Sequence, residues 1–152
     1  MNLSTYKTSL RETSMRVASL ALMALITVLP GVALSADFVV IVNKANTVAV
    51  DKTMIAKIYQ GELKSWPDGT PATPIDLPED NPSRAAFSNG AVGKTVANLK
   101  ALWAQMIFSG KALPPKVVAG DDDVKKAVSA AKGGVGYIKA SAVDDTVKVA
   151  FK

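Results

Sequence analysis

Five consecutive apolar residues, Phe38-Val39-Val40-Ile41-Val42, constrain this chain more than any other stretch. Side chains alternate between the two faces of a strand, so a run that is apolar at every position needs cover on both sides. Four of the five are β-branched, which suits a strand better than a helix. The stretch therefore belongs inside a layered fold, and the rest of the chain supplies the layers.

Asp51 can cap a short helix that carries Met54, Ile55, Ile58 and Tyr59 on one side and stops at Gly61. Ser65-Trp66-Pro67-Asp68-Gly69 is a turn. Residues 73–77 read as a second strand. Asn81 is a good N-cap and Pro82 suits the first helical position, so a short helix opens there and ends near Asn89-Gly90. Thr95 starts the longest helix, closed by Ser109-Gly110. Its stripe of Val96, Leu99, Leu102, Trp103, Met106 and Ile107 is expected in the core. Residues 116–119 form a third strand. A helix then begins at Asp121-Asp122-Asp123, carries Val124, Val128 and Ala131, and ends at Gly133-Gly134. Residues 135–138 and 147–151 are the last two strands. This strand–helix alternation predicts an α/β fold with a mostly parallel central sheet of about five strands flanked by helices.

Residues 1–36 read as an address, not as part of that fold. Lys7, Arg11 and Arg16 precede an apolar run from Val17 to Leu29, and small residues follow at Ala33, Ser35 and Ala36. That order is a secretory signal peptide, with cleavage favoured after Ala36 and residues 37–152 left as one domain. The run is shorter than the ~18–20 residues of a membrane span, so no stable anchor is expected. Met15-Arg16 offers a second start for the leader. The expected location is the periplasm.

From Asp37 onward the chain holds 15 Lys/Arg and 12 Asp/Glu, a net charge of only +3 with a single arginine, Arg84. No nucleic-acid footprint is present. Cysteine and histidine are absent. Disulfide support, Cys/His metal sites and Ser-His-Asp or Cys-His catalysis are thereby excluded. The three aspartates lack the alternating ligand pattern of a calcium loop and are favourable at a helix N-terminus without metal. No metal, cofactor or enzymatic activity is expected.

Functional attention falls on Asn81, Ser83 and Arg84, where the second strand passes through Leu77-Pro78-Glu79-Asp80 into a helix. In a parallel sheet, ligands sit beyond the carboxyl ends of strands. A helix N-terminus presents unpaired N–H groups and partial positive charge, and so accepts anions. Arg84 in the first turn runs against the dipole. Either it helps to hold an anion, or it pairs with Glu79 or Asp80.

The order of motifs resembles the phosphate-binding proteins of ABC importers, which are type II periplasmic binding proteins. The likeness rests on residues 55–61 (Ile-Ala-Lys-Ile-Tyr-Gln-Gly), Ser65-Trp66 with Asp68-Gly69, the Pro74-Ile75 strand, and Gly133-Gly134-Val135-Gly136-Tyr137-Ile138. It covers most of residues 37–152, which is one lobe of a normally two-lobed protein. The resemblance implies a five-stranded periplasmic lobe whose loop after the second strand gives N–H and hydroxyl groups to an oxyanion. At that loop the family's phosphate binders carry Arg-x-Asp-Gly-Ser-Gly-Thr. Here Ser83 alone keeps a family-type hydroxyl, Arg84 follows it, and Pro82 removes a donor.

The expected function is a non-enzymatic solute-binding-like domain that takes phosphate or another small oxyanion weakly at Asn81, Ser83 and Arg84. The alternative is a periplasmic accessory or protein-interaction domain that has lost its ligand. A single lobe offers one wall to a ligand, so a homodimer or a separate periplasmic protein is the expected source of a second.

Overall fold

The computed structural model describes residues 37–152; the signal peptide expected over residues 1–36 lies outside the described residues. The strands are β1 (Phe38–Val42), β2 (Thr73–Asp76), β3 (Lys116–Val117), β4 (Gly134–Lys139) and β5 (Lys148–Phe151). The helices are α1 (Lys52–Tyr59), α2 (Pro82–Phe87), α3 (Val96–Phe108) and α4 (Asp121–Ala130). The strands form one sheet in the order β3-β2-β4-β1-β5. β2 is parallel to β3 and to β4, while β1 is antiparallel to both β4 and β5. Four strands thus point one way, and β1 alone runs against them. The expected α/β sheet is present, largely but not purely parallel. Among the described residues no helix is long and apolar enough to cross a membrane.

β1 is buried over residues 39–42, as its uninterrupted apolar run requires. β4, beside it, is built from alternating sizes. Tyr137 faces the helices α1 and α2: its ring stacks on Phe87 at 3.9 Å, and Tyr59 meets both rings edge-on. Gly136 faces the other way, where α4 lies so close that an added Cβ would come within 2.5 Å of Val124 Cγ1. A glycine and a tyrosine in sequence therefore bring one helix close on one face and make room for an aromatic layer on the other.

The caps follow the sequence. Asp51, Asn81 and Thr95 each accept a first-turn N–H with their side chains. Two elements depart from expectation. The helix at Pro82 does not end near Gly90 but continues as a π-helical turn, Ser88–Val92, stopped by Gly93 at φ 74°. In α3, only Leu99 and Trp103 of the expected stripe are fully buried. Val96, Leu102 and Met106 are half-buried, and Ile107 is 50% exposed. The reason is where α3 lies. It leans on the end of α1, with Trp103 Nε1 donating to Tyr59 O at 3.0 Å, so one narrow line of the helix touches the body.

Asn43, just past β1, fastens the far side. Its amide donates to the carbonyls of Val128, Ser129 and Ala131 at 2.9–3.0 Å, at the C-terminal end of α4 where intrahelical donors run out. Its Oδ1 accepts the Ala45 N–H at 2.8 Å. Asn43→Ala removes these bonds, one of them buried, and should cost about 2–3 kcal/mol, read as a lower urea midpoint at unchanged slope.

Candidate functional site

Asp76 ends β2 and is only 8% exposed. A buried carboxylate needs partners, and this one has three. Its Oδ1 accepts the Leu77 N–H at 2.9 Å and a short hydrogen bond from the Tyr137 hydroxyl. Its Oδ2 lies 3.1 Å from Arg84 Nη2. Arg84 is itself 9% exposed, and its Nη1 donates to Leu77 O at 2.6 Å. The guanidinium thus spans from the end of β2 to the first turn of α2 and fixes the angle between them.

The sequence places Arg84 opposite an anion, or opposite Glu79 or Asp80. The structure pairs it with Asp76, and Glu79 pairs instead with Lys100 at 3.0 Å. Asn81 caps α2, its Oδ1 accepting the Ser83 N–H at 2.9 Å. The N–H groups of Arg84 and Ala85 both reach Asn81 O, at 3.0 and 3.4 Å. The first-turn donors expected to be free are therefore satisfied within the chain. Ser83 is fully buried, and its Oγ is the buried side-chain polar atom among the described residues that lacks a hydrogen-bond partner.

Asp76 and Tyr137 were not singled out by the sequence. One signal was available: the only arginine after residue 36 follows eight residues after an aspartate that ends an apolar strand. The tyrosine could be placed only from the register. β4 runs parallel beside β2, with Thr73 opposite Gly134 and Pro74 opposite Val135, and that pairing carries Tyr137 to the level of Asp76.

Burial pushes the Asp76 carboxyl above the usual carboxylate range, while the Tyr137 hydrogen bond and the Arg84 charge pull it back down. Burial, reinforced by the Asp76 charge, holds the Tyr137 phenol far above its ordinary value, so it stays a donor. Beside the pair opens a cleft of about 330 Å³, with Asp76, Glu79, Arg84 and Lys100 at one side and Trp103 and Ile107 at the other. A shallower cleft at the same end joins Asn81 to Asp121, Asp122 and Asp123 at the start of α4. Five carboxylates, Asp76, Glu79, Asp121, Asp122 and Asp123, thus line the two clefts together with Arg84, Lys100 and Lys139.

Arg84→Met leaves the buried carboxylate without its charge partner and should cost about 3–5 kcal/mol at neutral pH. A carboxyl whose folded value is raised binds its proton more tightly folded than unfolded, so its contribution falls as pH rises from the ordinary carboxylate range through the folded value. Removing the guanidinium raises that folded value further. The deficit of the variant should therefore shrink as pH is lowered into the range where Asp76 takes up its proton. Denaturation midpoints of both proteins across this range check it, and a deficit independent of pH would count against it.

Comparison with known proteins places this geometry. Two solved structures share the fold. One is an ABC-type phosphate transport receptor from Vibrio cholerae, at 19% identity and a TM-score of 0.57, the match covering 74% of this chain and 44% of the receptor. The other is a putative phosphate ABC transporter substrate-binding protein with bound phosphate from Clostridium perfringens. It matches at 23% identity and a TM-score of 0.60, over 74% of this chain and 43% of its own. The chain spans less than half the length of either. No curated protein matches it. A family model described as the PBP superfamily domain matches residues 33–151, which is most of the chain. The resemblance to phosphate ABC transporter substrate-binding proteins and the single-lobe sheet agree with that match, and the chain belongs to the PBP superfamily domain family.

Proposed function

We propose that this chain is an exported, non-enzymatic solute-binding-type domain of the periplasm. In this reading its anion position is filled from within, and it serves as an accessory or interaction domain. The observation that carries this is the environment of Asp76. An arginine, a tyrosine hydroxyl and a backbone N–H converge on a carboxylate, which is the donor set an oxyanion would use. A dissolved anion must displace that carboxylate and approach past Glu79 and the aspartates of α4. Catalysis finds no support, since the charged groups of the site are held in ion pairs and caps and no nucleophile–base pair is formed.

A second reading keeps an oxyanion such as phosphate on Asn81, Ser83 and Arg84. Two observations favour it. The Ser83 hydroxyl is buried with a free hydrogen-bonding capacity, and the chain shares its fold with a phosphate transport receptor and with a putative phosphate ABC transporter substrate-binding protein with bound phosphate.

Calorimetry with phosphate and with sulfate separates the two. The first reading expects no heat from the wild type below ~10 mM anion, and a gain of millimolar binding in Asp76→Ala, where Arg84 is released. The second expects wild-type binding that Ser83→Ala and Arg84→Ala each weaken at least tenfold. Micromolar binding by the wild type would overturn the first reading.

A further inference from the structure

The far end of α3, the loop after it and β3 expose large apolar side chains that the fold does not use. Phe108 is 96% exposed, Leu113 83%, Val117 54% and Ile107 50%. Together they amount to several hundred Å² of apolar surface, the size at which a patch on a soluble protein is commonly an interaction site. Next to this knob is a hole. The 330 Å³ cleft that reaches Asp76 has an apolar side made by Trp103, Ala104, Ile107, Pro114, Pro115 and Val117. Ile107 is a wall of the hole, and Phe108 is the next residue along the helix.

We propose that the occupant of this face is a second copy of the chain, with Phe108 of each copy seated in the cleft of the other. The adjacency of knob and hole is what selects this occupant. If a protruding side chain sits beside its own receptor, a two-fold axis between them satisfies both insertions at once and closes the assembly. The rim suits self-association as well. Glu79 and Lys100 supply both signs of charge at the cleft, so two identical faces do not meet as like charges. A standard interface needs about 800 Å² from each partner, and the patch with the cleft walls provides its apolar centre. β3, one of the two edge strands of the sheet, borders the same face through Val117. Each copy also becomes a wall beside the Asp76–Arg84 pair of the other. The proposal stands independently of whether that pair admits an anion.

Sedimentation velocity on the purified protein, from ~10 µM to ~1 mM, tests it. The wild type should show a concentration-dependent monomer–dimer equilibrium. Phe108→Asp removes the knob and Ala104→Trp fills the hole. Each should weaken association at least ~100-fold, because each acts twice per dimer. Phe108 and Ala104 are both exposed, so thermal unfolding monitored by circular dichroism should be unchanged in the monomer. A wild type that stays monomeric to ~1 mM overturns the proposal, whatever else covers the face. Dimerisation that survives either variant also overturns it, as does assembly beyond the dimer, because reciprocal insertion closes at two copies.

Discussion

A charged group buried at a strand end organises this domain. Taking a carboxylate out of water costs several kcal/mol, and only close partners offset that. For Asp76 those partners come from three places: the following residue, β4 and α2. Each must be correctly positioned for the others to count. The α2 helix cannot swing without exposing Arg84. β4 cannot slip against β2 without removing the Tyr137 hydroxyl. Such an arrangement gives little net stability compared with an apolar core. Its effect is to penalise wrong arrangements, which defines the carboxyl end of the sheet more sharply than packing alone would.

The aromatic layer beneath carries the stabilising weight. Tyr137 takes part in both layers, its ring stacked on Phe87 and its hydroxyl on Asp76. Tyr59 behaves alike, packing edge-on against the same rings while its hydroxyl donates to Ile75 O at 2.6 Å. Polar tips on apolar bodies thereby let a dense core run up to the edge where a solute-binding domain would meet its solute.

Much of this was legible in the sequence, because it depends on local chemistry. Asp51, Asn81 and Thr95 stop and start helices by capping their own N–H groups, which needs no knowledge of the rest of the chain. The buried run of β1 speaks for itself in the same way. What escaped depends on distant residues. The Asp76–Tyr137 contact joins positions 61 residues apart and exists only because β2 and β4 pair in one register. The stripe of α3 misled for a related reason. Helical spacing shows that one face is apolar, but how much of it is covered depends on what the helix meets, and here it meets the end of α1 and the π-helical turn Ser88–Val92 along one line. Of the candidate residues, Asn81 fell where the sequence put it, as a cap. The partner of Arg84 lay in the strand before it, at Asp76, not in the loop, where spacing offered Glu79 or Asp80.

β1 sits between β4 and β5, so the first strand of the domain has both its neighbours among the last. Phe38 faces Lys139 across the ladder, a separation of about a hundred residues, and such non-local pairing slows folding. A chain delivered from its N-terminus presents Val39, Val40, Ile41 and Val42 first and their cover last. Until β4 arrives, this β-branched segment is an unpaired strand of the kind that recruits other chains. The order of delivery therefore works against the order of assembly. Whatever handles the emerging chain must keep that segment covered for nearly the whole length of the domain, and the sheet then forms late and almost all at once.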